Sequence, residues 1–365
     1  MMPAFRGRRR SLMRAQLAIV VALAFVVAAC GGSGPASPAA ASPAPPASAE
    51  TAGERMTRLY EAAKAEGKIA FYSSMNTDDA RTIIPKFEQR FPGLKIEHTR
   101  VTGEQLVTRV ITEVRAGQNL FDIFDSSSFQ VKQIVDLGYT QPYMPSASED
   151  IPPEGRDAKG TWIANRGVPL AIGFNTQKGV KVGDIKGWAD LCDKKYESKI
   201  AVEVGDVVVY SALKKQLGEA EAQRILKCVA ANKPILRSGH TEIDSLLPAG
   251  EFAVTFASHS YRLAAFKYEQ NKAVDWVKDV IVMDLAGMTL AAKAPHPNAA
   301  RLFTEWLVSQ EGQETLATTG RPPASTKVKM KYPDVLGDKR IYVTLDLMQT
   351  FDKDSEFWNT TLGIK

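Results

Sequence analysis

The sequence is poor in cysteine and histidine, with only three Cys and four His among 365 residues. It contains no Cys-x-x-Cys pair, and His98, His240, His259 and His296 lack the spacing of a zinc site. We therefore predict neither a metal nor a cofactor. The chain is 44% hydrophobic, 24% charged and 8% aromatic. This composition excludes a disordered tail protein, a coiled coil and a disulfide-dense mini-domain, and the length is enough for about two ordinary domains.

An excess of positive charge is missing from most of the chain. The formal charge of +5 comes from five arginines before Cys30, where no acid occurs: Arg6, Arg8, Arg9, Arg10 and Arg14. The remaining chain has as many basic as acidic residues, 41 of each. A basic surface for polyanions is therefore absent, and no nucleic-acid partner is expected.

The apolar run Leu17–Ala29 is shorter than the ~20 residues needed to span a bilayer, and basic residues precede it. This order is typical of a secretory signal. The run ends in Val27-Ala28-Ala29-Cys30, which resembles the bacterial lipoprotein signal, where the Cys is lipidated and begins the mature chain. The alternatives are an ordinary signal peptide with an unrelated Cys, or a small membrane anchor. We predict a signal peptide at 1–29 and lipidation at Cys30.

Residues 30–53 consist almost wholly of Gly, Ser, Ala and Pro after the cysteine, which predicts a flexible linker. The folded part would then work outside the cytoplasm, held to the cell membrane through the lipid only. Cys192 and Cys228 remain as an even pair in an oxidising compartment, which predicts a disulfide between them. The alternative is two buried thiols.

From Glu54 onward the pattern alternates between helical and extended segments. This alternation predicts an α/β fold with a mostly parallel sheet and helices on both faces. It restarts after a loop at about 140–160, so we expect two similar α/β lobes. The predicted helices are 55–66, one with Thr77 as its N-cap and kinked or delayed by Pro85, 103–116, one ending near Gly138, 208–217, 219–231, 241–248 and 260–270. The predicted strands are 68–72, 94–99, 121–124, 168–174, 199–204 and 252–256.

Several stretches resemble the bacterial extracellular solute-binding proteins of ATP-driven importers, in the branch that includes the ferric-ion-binding proteins. The most telling are Ala294-Pro295-His296-Pro297-Asn298-Ala299-Ala300 before a helix and Ser309-Gln310-Glu311-Gly312-Gln313 after it. The others are Ile69-Ala70-Phe71-Tyr72-Ser73-Ser74, Thr102-Gly103-Glu104, Gly239-His240-Thr241 and Ala249-Gly250-Glu251. The resemblance covers roughly residues 54–365.

The resemblance implies a periplasmic binding protein of type II, in which a hinge joins two α/β lobes and the ligand lies between them. Lobe 1 would comprise 54–167 and 285–322. Lobe 2 would comprise 168–284, with the C-terminal helices of 323–365. The chain would cross the hinge at 168–174 and 284–292.

Ligands of open α/β sheets bind beyond the carboxyl ends of strands, where helices also begin. Five such places carry hydroxyls, imidazoles, an amide or a carboxylate, although Ser, Thr and Asp there are commonly helix caps. The predicted ligand-binding residues are Ser73, Ser74, Asn76, Ser126, Ser127, Asp206, His240, Thr241, Ser258, His259, Ser260 and Tyr261.

The ferric-binding relatives use a His, a Glu and two adjacent Tyr. The resemblance places these positions on Asn76 or Met75, on Ser127, and on Ser260 and Tyr261. Only one Tyr is present, and neutral Ser and Asn are poor ligands for a hard ferric ion. Hydroxyls, amides, helix N-termini and two histidines suit a small polar or anionic organic solute better.

We therefore predict a monomeric, non-enzymatic, lipid-anchored protein that captures such a solute and delivers it to the permease subunits of an ABC importer. One alternative is a ferric-iron-binding protein, and another is a ligand sensor on the same scaffold. A hydrolase using Ser258, His259 or Ser260 is disfavoured, since no Gly-x-Ser-x-Gly elbow occurs.

Overall fold

The computed structural model describes residues 50–101 and 103–364. The predicted signal peptide, the lipidation site at Cys30 and most of the predicted linker lie outside these residues. None of the helices among the described residues has the length and apolar character needed to cross a membrane.

Helices and strands alternate along the described chain, as the sequence pattern predicts. The helices are α1 (Ala52–Ala63), α2 (Thr77–Arg90), α3 (Gly103–Arg115), α4 (Ser128–Asp136), α5 (Val207–Leu217), α6 (Glu219–Ala231), α7 (His240–Ala249), α8 (Ser260–Tyr268), α9 (Pro297–Val308), α10 (Gln310–Ala317) and α11 (Phe351–Leu362). The strands are β1 (Lys68–Ser73), β2 (Lys95–Arg100), β3 (Ile123–Ser126), β4 (Thr140–Gln141), β5 (Ile163–Ala171), β6 (Gly173–Asn175), β7 (Ile200–Glu203), β8 (Ile235–Arg237), β9 (Val254–Thr255), β10 (Ser258–His259), β11 (Val274–Trp276), β12 (Val280–Ala291) and β13 (Lys339–Tyr342).

The first sheet has the strand order β10-β5-β12-β3-β1-β2, and β4 and β13 pair with β12. β1 is parallel to both of its neighbours, β2 and β3. β12 is antiparallel to β3 and to β5, so the sheet is mixed rather than mostly parallel. The sequence did not reveal this direction, because a buried strand has the same apolar pattern in either orientation.

The second sheet has the order β11-β6-β9-β7-β8. β7 is parallel to β8 and to β9, whereas β6 is antiparallel to β9 and to β11. The short β9 therefore joins a parallel half of the sheet to an antiparallel half.

Four segments carry the chain between the two sheets. The first lies at Ile172, between β5 and β6, and the second joins β9 to β10. The third is α8 with the residues that follow it, from β10 to β11, and the fourth joins β11 to β12 at residues 277–279. β5 and β12 pair along most of their length within the first sheet, so the predicted lobe boundaries at 167/168 and 284/285 fall inside these strands. The chain instead leaves the first sheet after the end of β5 and makes its last return to it before the start of β12.

Two apolar clusters form the interior. The larger one lies around the first sheet, where Phe71, Phe87, Phe303 and Trp306 contact one another through their rings. The second cluster includes the interior of the second sheet, and Trp358 of α11 packs against Phe256 there. Each cluster also contains residues of the other sheet, such as Val274 in the first and Val282 in the second, so the two interiors are not strictly divided by sheet.

Candidate functional site

β1 and β3 end at a buried polar network. The hydroxyl of Ser73 donates to Oδ2 of Asp125 (2.6 Å) and accepts from the backbone N–H of Met75 (2.8 Å). Arg166 on β5 donates through Nη1 to Oδ1 of Asp125 (2.6 Å). Ser73, Asp125 and Arg166 are all buried. The network ties β1, β3 and β5 together across the intervening β12, so a ligand contact by Ser73 would require its internal hydrogen bonds to open.

Asn76 and Tyr261 meet just beyond this network. Asn76 caps α2 by accepting the N–H of Asp79 (2.8 Å), and its Nδ2 donates to the hydroxyl of Tyr261 (3.3 Å). Asn76 follows the end of β1, whereas Tyr261 stands in the first turn of α8, directly after the second crossing. The cap on α2 is therefore Asn76 and not the neighbouring Thr77, and α2 runs through Pro85.

A buried ion pair supports the Tyr261 ring. The guanidinium carbon of Arg321 lies 4.2 Å from the ring centroid, and Nε of Arg321 donates to Oδ2 of Asp79 (2.6 Å). Burial raises the pKa of the Tyr261 hydroxyl to about 12, although the nearby Arg321 opposes this. Tyr261 is therefore a neutral phenol at neutral pH, able to donate one hydrogen bond to a ligand.

A cavity of about 120 Å³ opens beside this pair. The side chain of Arg262 is 16% exposed, and its Nε lies 3.4 Å from Asp244 without a hydrogen bond to any group in the described part of the chain. An unsatisfied guanidinium donor in a polar cavity favours a ligand that carries acceptor oxygens. The lining residues are Asn76, Asp78, Asp79, Tyr261, Arg262, Ala265, Phe266, Gln270 and Thr319.

Asp206 and His240 form a second polar group, at the starts of α5 and α7. Nε2 of His240 lies 2.9 Å from Oδ1 of Asp206. Burial alone would lower the pKa of His240, but the Asp206 carboxylate raises it to about 9. Burial also raises the pKa of Asp206 to about 6, against the effect of His240. The two side chains are therefore an ion pair at neutral pH.

His259 connects the two groups. Its ring lies 4.8 Å from the His240 ring and 5.4 Å from the Tyr261 ring, between centroids. Nδ1 of His259 is 2.8 Å from Oδ2 of Asp244. Burial lowers the pKa of His259 to about 4 despite Asp244, so the ring is neutral and its Nδ1–H donates to the carboxylate. Its Nε2 then remains an acceptor for a ligand hydroxyl.

The structure brings five of the twelve predicted residues together: Asn76, Asp206, His240, His259 and Tyr261. The hydroxyls of Ser258 and Ser260 are fully buried and donate to Thr255 and to the carbonyl of Val335. Ser126 is buried beside Gln130, Thr241 is exposed in the first turn of α7, and Ser74 and Ser127 are partly buried. All twelve stay predictions as ligand contacts.

Sequence reasoning missed the charged side chains of the site, namely Asp79, Asp244, Arg262 and Arg321. The sequence analysis selected residues at the carboxyl ends of strands and at the starts of helices. Three of the missed residues lie further inside helices, namely Asp79, Asp244 and Arg262. The fourth, Arg321, follows the end of α10 and so lies at neither kind of position. Its pairing with Asp79 joins distant parts of the chain. No short-range pattern signals such a pair.

The sequence profile of the bacterial extracellular solute-binding proteins matches residues 82–335, which is more than half of the chain. The chain belongs to this family. A solute-binding protein of this kind works outside the cytoplasm and serves transport rather than forming a class of enzymes. One relative, an uncharacterized protein of Haemophilus influenzae, is 27% identical over 275 residues, covering 69% of this chain and 76% of the relative.

Solved structures share the fold of this solute-binding protein at lower identity. The substrate-binding protein of an ABC transporter from Agrobacterium tumefaciens has a TM-score of 0.72 at 19% identity, covering 81% of this chain and 94% of its own. The ferric binding protein from Campylobacter jejuni has a TM-score of 0.70 at 18% identity, covering 80% and 99%. Iron-bound HitA from Pseudomonas aeruginosa has a TM-score of 0.69 at 14% identity, covering 80% and 99%. The predicted two-lobed α/β fold is confirmed.

Proposed function

We propose that this solute-binding protein captures a small polar or anionic solute between its lobes and delivers it to the permease of an ABC importer. The contact between Asn76 and Tyr261 carries the proposal. Both side chains follow strands of the first sheet, β1 and β10, and Tyr261 stands directly after the crossing from the second sheet. A ligand held there would lie beside a crossing between the lobes, where a hinged protein closes.

The polarity of the cavity supports an oxygen-rich solute. Tyr261 offers a phenolic O–H, Arg262 a guanidinium that is ion-paired with Asp244 through Nε, and Asn76 an amide that donates to Tyr261. Asp78 and Asp79 also line the cavity, and Asp79 is already paired with Arg321. The cavity lining therefore contains both hydrogen-bond donors and hydrogen-bond acceptors. Such a lining fits an acidic or polyhydroxylated compound better than an apolar one.

Ferric-ion binding is the second candidate, because the names of two structural neighbours describe proteins that bind iron. The donors at the corresponding positions argue against it. Asn76, Ser127 and Ser260 are neutral, and the hydroxyl of Ser260 is already bonded to Val335. Tyr261 is the one phenol among these positions. A ferric ion prefers several anionic oxygens.

Lipid attachment at Cys30 and a tether up to residue 53 complete the proposal. They would hold a monomeric receptor without catalytic activity near the permease in the membrane. The basic, apolar and small-residue order before Cys30 supports this part. A sensor that reports the same solute to a receptor would use the same site, and neighbouring permease and ATPase genes would distinguish the importer from it.

A thermal-shift screen tests the function. Carboxylates, phosphonates, sugar phosphates, polyols and ferric citrate are added to the purified protein, and hits are measured by calorimetry. Because Tyr261→Phe removes a donor to a charged ligand, it should weaken binding by about 1.5–3 kcal/mol, roughly ten- to a hundred-fold. Tyr268→Phe is the matched control, since Tyr268 is 50% exposed and lies outside the cavity lining.

Two results would contradict the proposal. Equal affinity in wild type and Tyr261→Phe would place the solute elsewhere. A coloured ferric complex with a tyrosinate-to-iron absorption band, lost in Tyr261→Phe, would establish the ferric alternative in place of an organic solute.

A further inference from the structure

We propose that Glu203, Asp206 and His240 form a binding site for one divalent transition-metal cation, with Zn²⁺ the best match. One carboxylate oxygen from each acid and one ring nitrogen of His240 all lie within 4.8 Å of one another. One of these separations, from Nε2 of His240 to Oδ1 of Asp206, is 2.9 Å. Ligand atoms of one tetrahedral zinc ion lie about 3.4 Å apart when the bonds are about 2.1 Å. This value lies below the 4.8 Å limit of the cluster.

Glu203 holds the two loops of the site together. Its Oε2 accepts the backbone N–H of Gly205 (2.6 Å), and its Oε1 accepts that of Gly239 (2.9 Å). Gly205 precedes Asp206, and Gly239 precedes His240, so one carboxylate fixes the backbone beside both other ligands. Each carboxylate oxygen accepts more than one bond, which leaves Glu203 free to bind a cation as well. The site is thus positioned before any ion enters.

Asp206 supplies the independent observation that points to a ligand. Its side chain is fully buried, Oδ1 contacts only Nε2 of His240 without a well-directed hydrogen bond, and Oδ2 accepts no hydrogen bond from any group among the described residues. Nε2 of His240 likewise lacks a well-directed hydrogen bond within the described residues, although it lies beside Asp206. Buried carboxylates without hydrogen bonds are costly, and a bound cation would satisfy this one.

The donor set selects the kind of ion. An imidazole nitrogen with two carboxylate oxygens suits Zn²⁺ and its neighbours in the first transition series. Ca²⁺ requires six to eight oxygens, and Mg²⁺ keeps most of its waters, so both fit less well. The cation would take the place of the proton on His240, since a metal binds the neutral ring. Three protein ligands leave a fourth position for a water or a solute oxygen.

The site is distinct from the positions that the resemblance links to ferric ligands in relatives, which fall on Asn76, Ser127, Ser260 and Tyr261. The inference does not depend on the proposed solute, because the three ligands are side chains of this chain alone. The test is therefore made without any solute. A failure to find a solute would leave its outcome unaffected.

The test is a calorimetric titration of the full chain with ZnCl₂, in detergent, without an affinity tag, after EDTA treatment and removal of the EDTA. Iodoacetamide first blocks the thiols of Cys192 and Cys228. Wild type should bind one equivalent of Zn²⁺. Loss of an outer-shell partner alone costs about 10–100-fold in metal affinity, so loss of a ligand in Asp206→Asn or His240→Gln should weaken binding at least about tenfold.

His296→Gln is the matched control. Nδ1 of His296 lies 2.8 Å from the buried Asp122, so the pair resembles His240 and Asp206 but belongs to no three-ligand cluster among the described residues. This variant should bind Zn²⁺ like wild type. Absence of saturable binding to wild type, or equal affinity in His240→Gln, would overturn the proposal and leave an ordinary ion pair. His240 is partly exposed, so His240→Gln decides the matter if Asp206→Asn does not fold.

Discussion

Arg321 and Asp79 are paired in the wall of the cavity, and their side chains are only 5% and 3% exposed. Removing one partner of a buried pair leaves the other charge without compensation. Asp79 stands in the first turn of α2, where the helix N-terminus offsets part of its charge. We expect Arg321→Met to lower the free energy of unfolding by about 3 kcal/mol, measured by urea denaturation.

A double substitution makes this prediction specific to the pair. Arg321→Met with Asp79→Leu removes both charges, and should recover most of the lost stability. Lys64→Met is the control, because the pair of Lys64 with Glu61 is exposed and such pairs contribute little. An unchanged stability in Arg321→Met would show that the pair is not a structural element of the cavity wall.

His98 gives a pH dependence of stability. Its ring stacks on Phe71 at 5.2 Å, and burial lowers its pKa in the folded protein, while Asp125 opposes this and Arg100 and Arg166 add to it. The unfolded chain keeps a histidine pKa of about 6.5 and therefore binds more protons below that pH. Stability should fall as the pH is lowered from about 6.5 towards the folded pKa.

His98→Phe removes this titration and keeps the stacking on Phe71. The variant should show a flatter loss of stability between about pH 6.5 and 5 than wild type, measured by urea denaturation at each pH. Part of the dependence of stability on pH will remain in His98→Phe, because His259 is also buried and its pKa is lowered to about 4. Identical slopes in the two proteins would contradict the prediction.

At the scale of elements, the packing of Gly312 accounts for the glycine in the family-like stretch Ser309-Gln310-Glu311-Gly312-Gln313. Ser309 caps α10 by accepting the N–H of Gly312 (3.3 Å), where α10 turns tightly away from α9. A Cβ at position 312 would lie 2.1 Å from the carbonyl oxygen of Trp306. The neighbouring Gln313 is fully buried and donates to the carbonyls of Asn165 and Leu307. The stretch therefore serves packing rather than ligand binding.

Gly312→Ala should therefore destabilise the protein by about 2–3 kcal/mol, since the contact is with backbone that cannot rotate away. Gly53→Ala in α1 is the control. Its added Cβ would have no neighbour within 4 Å, so the better helix propensity of Ala should leave stability unchanged or slightly higher. Thermal unfolding of both variants measures the difference, and equal melting temperatures would show that α10 can shift to accept the methyl group.

Cys192 and Cys228 lie near each other, at the end of the short 3-10 helix Trp188–Cys192 and in α6. Both are thiols in this structure, and Nη1 of Arg224 lies 3.6 Å from one sulfur and 3.7 Å from the other. Burial, with Cys228 beside it, raises the pKa of Cys192 to about 11, so the reduced thiol stays protonated. The predicted disulfide is thus not formed here, and it remains a prediction for the exported protein.

A disulfide between them would constrain the unfolded chain and add about 3–4 kcal/mol in the entropic account. Protein isolated from its extracytoplasmic location should show no reactive thiol when unfolded without reductant. Cys192→Ser should then free one thiol and lower the melting temperature. Two reactive thiols in the unfolded wild type would refute the prediction.

Local patterns predicted most elements well, and tertiary features poorly. Apolar periodicity placed α3, α5 and α6 to within a residue or two. It could not show that β12 runs antiparallel between β3 and β5, because strand direction depends on the path of the whole chain. The same limit hid the cluster of Glu203, Asp206 and His240, whose members come from different loops. Histidine spacing reveals only sites that lie close together in sequence.

On the scale of the whole molecule, the predicted lipidation of Cys30 would hold the protein at the membrane. The native chain should partition into the detergent phase of a Triton X-114 separation, because its mature N-terminus would be acylated. Cys30→Ser should move the protein to the aqueous phase, while Cys192→Ser should leave it with the detergent. Aqueous partitioning of both wild type and Cys30→Ser would show that the lipoprotein signal is not used.

The pairing of β3 with β12 also governs when the protein can become compact. Ile123 lies opposite Leu290, so the middle of the first sheet joins an early segment of the chain to a late one. A polypeptide that emerges N-terminus first cannot complete this sheet until β12 has followed. Most of the polypeptide must therefore be synthesised before the middle of the first sheet can form.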